Sequence, residues 1–170
     1  RDVGQAMSGA AEGGHEALAR ICHDEWGARD VHDINQAMVN AASGGHEILM
    51  RLCYAWGARD LDLAMALAAD NGHEAIVRIL HDELGARDVN DAMVSAAGNG
   101  HEILVRQCRA WGARDVDDAM ANAAGNGHMA IVRLCQTWGA RNIIRAMEDA
   151  AAHGHMALAC ELSREVVLPE

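Results

Sequence analysis

A Gly-His pair returns along the chain at His15, His46, His73, His101, His128 and His155, in steps of 31, 27, 28, 27 and 27 residues. No other feature constrains the fold as much, because self-similarity at periods of about 20 to 50 residues marks solenoids, propellers or arrays. Two further markers keep the same phase. Gly-Ala-Arg begins at Gly27, Gly57, Gly85, Gly112 and Gly139, preceded by Trp26, Trp56, Leu84, Trp111 or Trp138. Ala-Met ends at Met7, Met38, Met65, Met93, Met120 and Met147, eight residues before each His. Together they divide the 170 residues into six units, at approximately 1–28, 29–58, 59–86, 87–113, 114–140 and 141–170, within a single repeat domain.

The apolar spacing inside a unit is helical twice over. Met120, Ala123 and Ala124, then Ile131, Val132, Cys135 and Trp138, follow the i, i+3, i+4, i+7 stripe of a half-buried helix. Asn90 with Asp91, and Asp117 with Asp118, are expected to cap the first helix, and the Gly-Asn-Gly runs at 98–100 and 125–127 to end it. The second helix runs from His to Trp and should close at Gly57, Gly112 or Gly139. Helices of about ten residues are marginal alone in water, so each unit must bury its face against its neighbours. Two local departures stand out. Gly27 to Met38 is three residues longer than Gly57 to Met65, which predicts a small loop or extra turn at the first junction. Two second helices, ending His23-Asp24-Glu25-Trp26 and His81-Asp82-Glu83-Leu84, carry one additional residue and should bulge or tighten there.

Ala123-Ala124, Gly127-His128, Ile131-Val132-Arg133-Leu134 and Gly139-Ala140 fall at the spacings of the ankyrin repeat, and the alignment extends over nearly the whole chain. The sequence therefore resembles the ankyrin-repeat family, with units of about 27 residues instead of about 33. The missing residues lie between Gly-Ala and Ala-Met, where an ankyrin repeat places its projecting β-hairpin. The resemblance implies an all-α solenoid of six helix-turn-helix ankyrin-like repeats lacking that finger. The shortened, Trp-Gly-Ala-rich units look like ankyrin-like arrays of large DNA viruses. The chain opens in mid-junction at Arg1-Asp2-Val3 without an initiator Met, so a fragment of a longer array is expected.

The chemistry legible in these residues is structural. His-Glu at 15–16, 46–47, 73–74 and 101–102 invites a zinc-protease pattern, but Ala19, Met50, Val77 and Val105 stand where a second histidine is required. The histidines are read as helix-start residues whose rings bond nearby backbone. Cys22, Cys53, Cys108 and Cys135 fall seven residues after their His, where one unit has Leu80, so they fill one small apolar core slot. Disulfides and metal are not expected, and a reducing intracellular compartment is. Cys160 is the one ambiguous thiol. A P-loop needs lysine, which is absent, and Ser8, Ser43, Ser95 and Ser163 have no adjoining His-Asp pattern. No enzyme, cofactor or small-molecule site is expected. The net charge of −11 disfavours nucleic acid, and no apolar run approaches a membrane span. Glu16, Glu47, Glu74 and Glu102 each precede an Arg by four residues, the spacing of a solvated outer face. The repeated Trp is expected to anchor each unit to the next through a large buried area.

Comparing copies separates scaffold positions from free ones, and the free ones cluster on the first helix. The stripe Gln36, Asn40 and Ser43 corresponds to Asp91, Ser95 and Gly98 and to Asp118, Asn122 and Gly125, and it should face solvent. One unit instead places Leu63 and Leu67 on this stripe beside Asp70 and Asn71, an apolar patch rimmed by polar groups. The alternative is that these leucines pack on the first-junction insertion. By the resemblance, the first helices and their following loops form a concave protein-binding surface. The partner-binding residues expected on it are Leu63, Leu67, Asp70, Asn71, Asp91, Ser95, Asn99, Asp118, Asn122 and Asn126. The function expected is a protein-protein interaction module. A structural spacer or self-association segment is the alternative, and an adaptor for protein degradation is a weaker one, implied by the C-terminal F-box-like segment that viral ankyrin-like proteins can carry, for which Val167-Leu168-Pro169-Glu170 is too short.

Overall fold

The computed structural model describes residues 3–166; the two residues before them and residues 167–170 lie outside the described part. Among the described residues there are twelve α-helices and no strand. They are α1 (Val3–Glu12), α2 (Glu16–Asp24), α3 (Val31–Ser43), α4 (Glu47–Trp56), α5 (Leu61–Asp70), α6 (Glu74–Ile79), α7 (Val89–Gly98), α8 (Glu102–Ala110), α9 (Val116–Gly125), α10 (Met129–Thr137), α11 (Ile143–Ala152) and α12 (Met156–Val166). The chain divides into two compact units, Arg1–Asp88 and Val89–Glu170. In the first, α3 packs between α1 and α5, and α2, α4 and α6 each lie on the helix preceding them. In the second, α9 packs between α7 and α11, with α8, α10 and α12 placed likewise.

The sequence markers mark where the helices turn. After each first helix a glycine adopts positive φ, as at Gly45 (+80°) and Gly127 (+79°), and the next residue's N–H reaches back to an alanine carbonyl. His46 N donates to Ala41 O at 2.8 Å and His128 N to Ala123 O at 2.8 Å, the six-to-one bond of a Schellman closure. Alanine at that place packs the turn tightly, and Gly supplies the left-handed conformation without a Cβ penalty. Second helices close in the same way on the cysteine row, with Ala58 N donating to Cys53 O and Ala113 N to Cys108 O, both at 3.0 Å.

Both local departures have structural consequences where they were expected. The longer first junction becomes helix, since α3 has 13 residues where α5, α7, α9 and α11 have 10. The additional residue in the third helix pair is absorbed as a π-helical segment, Leu80–Leu84, continuing α6. At the end of α2, Trp26 N donates to Ile21 O at 3.1 Å, a five-residue bond of the same kind.

The core of each compact unit is built from methionines and small residues. Met7, Met38, Met65, Met93 and Met120 are fully buried, together with Ala pairs such as Ala41 with Ala42 and Ala123 with Ala124. Small side chains let neighbouring first helices approach while the methionines fill the remaining gaps. Cys22, Cys53, Cys108 and Cys135 are buried free thiols, Leu80 is buried at their equivalent position, and Cys160 is exposed. Among the described residues no helix is long and apolar enough to cross a membrane.

Candidate partner interface

Side chains of Asp30 and Asn142 cap α3 and α11, but Asn90 and Asp117, expected to cap α7 and α9, are used differently. Asn90 and Asp117 are the second residues of α7 and α9, and their side chains reach the junction that follows. Asn90 Oδ1 accepts from Arg114 N at 2.6 Å and from Asp115 N at 3.3 Å; Asp117 Oδ1 accepts from Arg141 N and Asn142 N, both at 2.7 Å. Asn35 does the same for Arg59 and Asp60, and Asp62 for Arg87 and Asp88. Two otherwise orphaned amides of each junction are thus satisfied by the preceding helix pair. The acceptor lies 24 to 26 residues from its donors, which local capping rules do not reach.

The histidines also act between helix pairs. His46 Nε2 lies 3.0 Å from Glu12 O, His73 Nε2 2.9 Å from Ser43 O, and His128 Nε2 3.1 Å from Gly98 O, so each ring N–H donates to the end of the preceding first helix. None of these histidines caps its own helix with its side chain.

Of the ten residues expected to meet a partner, the first compact unit holds four, all on α5 or just after it. Leu63 is 50% exposed, Asn71 is exposed, and Leu67 and Asp70 are half-buried. Asn71 Nδ2 donates to Leu67 O at 2.9 Å and to Ser43 Oγ at 3.1 Å, tying the end of α5 to the end of α3. The second unit holds the other six, of which Asp91, Asn99, Asp118, Asn122 and Asn126 are exposed and Ser95 is half-buried. Asn99 and Asn126 repeat the Asn71 contact, donating to Ser95 O and Asn122 O.

The stripe is only partly solvent-facing. Gly98 and Gly125 are buried, contrary to the expectation, because a neighbouring first helix packs over them: Asn122 lies beside Gly98 and Asp149 beside Gly125. Asn40 is half-buried and donates to Ser8 O at 3.3 Å, and Asn122 donates to Val94 O at 3.5 Å. Asp118 pairs with Arg145. These amides hold first helices to one another as well as meeting solvent.

The tryptophans do not form the buried row expected of them. Trp26 is 46% exposed, and Trp56, Trp111 and Trp138, at the ends of the second helices, are half-buried. Trp56 stacks on His23 at 4.1 Å between centroids, and Arg109 stands over Trp138 at 5.8 Å. The ring contacts link neighbouring helix pairs at their surface.

Three of the four Glu-Arg pairs form, on α2, α4 and α8. Arg51 additionally reaches Glu83 in the π-helical segment at 2.8 Å, which holds the Glu83 carboxyl below its usual range and raises the Arg51 guanidinium. Arg133 bridges to Glu161 and Glu165 on α12. Burial pushes the thiols of Cys53 and Cys108 up to about 12 and that of Cys135 up to about 11, with Asp117 adding to the last; Cys22 moves the same way.

Outside the expected residues, Ile48 (67%) and Ile103 (63%) are the most exposed large aliphatics, each two residues after its His. The sequence pattern singled out neither of them. No group of three or more His, Cys, Asp or Glu side chains among the described residues is placed to hold a metal ion. No family model matches the chain, and no curated protein matches it.

Proposed function

We propose that this chain is a protein-protein interaction module, six shortened ankyrin-like helix-turn-helix repeats that hold a partner on their first helices and catalyse no reaction. The observation that carries this reading is the contrast along α5. Leu63 is 50% exposed, while Ala64, Met65, Ala68 and Ala69 on the same helix are fully buried. A leucine left out of a core that its immediate neighbours complete is the kind of apolar anchor around which interfaces concentrate binding energy. Variation between units supports it. At positions equivalent to Leu63 the chain has Gln36, Asp91 and Asp118, so the scaffold accepts polar residues there and does not require leucine.

The test places a photoreactive side chain at position 63 in the intact chain, and separately at position 48 on α4, in extract of the native cell. Crosslinking to one partner from position 63 and not from position 48 is the expected result. Equal labelling from both, or none from position 63, overturns the interface. Crosslinks only to further copies of the chain would replace it with the spacer or self-association reading.

A further inference from the structure

The first compact unit is the more acidic of the two. Fifteen carboxylates face seven arginines between Arg1 and Asp88, a net −8 of the chain's −11. Its layer of first helices, α1, α3 and α5, carries Glu12, Asp33, Asp62 and Asp70 and contains no arginine or lysine. Packed helices lie about 8 to 10 Å apart, and the screening length at physiological salt is about 8 Å. Charges on adjacent helices are therefore partly screened from one another at that salt and add into one field across the layer at low salt, where the screening length grows to about 30 Å. Asp62 contributes to it even while accepting from the Arg87 and Asp88 amides, since hydrogen bonding leaves its charge in place.

Within this field stands Leu63, half-exposed, with Leu67 one turn further along the same side of α5. An anionic partner reaching Leu63 would meet repulsion, and a neutral apolar one would gain the leucine contact alone. A cationic amphipathic segment gains both. We propose that the α1–α3–α5 layer docks a lysine- or arginine-rich amphipathic segment of a partner protein, its apolar residues seated on Leu63 and its cations in the field of Glu12, Asp33, Asp62 and Asp70. This occupant rests on the interface reading above and narrows it to one chemistry.

The test titrates the intact chain with a synthetic helical peptide of leucine and lysine, and with its leucine-glutamate counterpart, by calorimetry and by amide chemical shifts. Two variants separate the contributions. Leu63→Ser removes the anchor; Glu12→Gln with Asp62→Asn removes two charges and keeps the junction contact, because Asn35 and Asn90 already perform it in other helix pairs. Circular dichroism verifies that both variants remain folded. The lysine peptide is expected to bind with shifts centred on α5, about tenfold or more weaker with Leu63→Ser. In the charge variant the loss should be about three- to tenfold at low salt and should vanish at high salt. Lysine-peptide binding that ignores Leu63→Ser would be diffuse attraction to an acidic surface and would overturn the proposal, as would the absence of binding. A glutamate-peptide complex that depends on Leu63 would overturn the cationic occupant and leave the interface reading standing.

Discussion

A Cβ placed on Gly100 would stand 2.8 Å from Cε1 of His128, whereas one on Gly112, also at positive φ, would meet nothing within 4 Å. Gly100→Ala should therefore combine backbone strain with displacement of the ring, and Gly112→Ala should carry the strain alone. We expect both to destabilise in urea denaturation, by about 1 to 3 kcal/mol for the strain, with Gly100→Ala the worse; equal losses would show that the His128 ring gives way freely. The buried thiols make a second residue-scale prediction. With Cys53 and Cys108 raised to about 12 from 9.0, the unfolded chain releases these protons first as pH rises. The folded state then binds more protons than the unfolded one, so their contribution to stability is intact below about pH 9 and is lost toward pH 12. Denaturation midpoints should fall across that window, and less steeply with Cys53→Ala and Cys108→Ala together. In the native protein a thiol reagent should modify exposed Cys160 quickly and the four buried cysteines only as fast as the fold opens.

The elements show which kinds of information a linear sequence carries. Helix number, the two closures and the place of the irregularity at Leu80–Leu84, though not its π-helical form, were legible because each depends on spacing within one unit. The junction contacts of Asn35, Asp62, Asn90 and Asp117 were not, since their donors lie one unit onward and local rules offered capping as a sufficient use for the same residues. A hint was present all the same: an Asn or Asp stands three residues before Met in four units, a register more constant than capping requires. Asn90→Ala should cost about 1 to 3 kcal/mol by leaving two amides short of an acceptor, and Asn90→Asp should cost little. Comparable losses for both would assign Asn90 to packing. The tryptophans were misjudged because ring size argues for burial but cannot say which part of the ring a short helix covers. Trp111 is half-buried, so Trp111→Ala should cost about 1.5 to 2.5 kcal/mol by area, below the roughly 3 to 5 of a fully buried ring. A loss in the higher range would mean that the contacts of the ring exceed its area.

At the scale of the whole molecule, the pattern that specifies the scaffold also exposes what the scaffold does not need. Copies of one unit act as each other's controls, so a residue that breaks a row without breaking the helix points away from folding. Leu63 and Leu67 are such residues, and their location on α5 was legible; how far each would be covered was not, because that depends on neighbouring helices contributed from other units. The outcome differs for the two, with Leu63 half-exposed and Leu67 more covered. Equivalent positions hold Asp91 with Ser95 and Asp118 with Asn122 on helices of the same length. Leu63→Asp with Leu67→Asn, which copies the α9 pair, should therefore leave helicity unchanged by circular dichroism. If α5 is the centre of the interface, affinity for the crosslinked partner should fall by about 2 kcal/mol or more, the scale of a hot spot. An intact fold with unchanged affinity would remove α5 from the interface. Loss of the fold would instead assign the leucines to packing, most directly Leu67, whose carbonyl also receives the Asn71 amide.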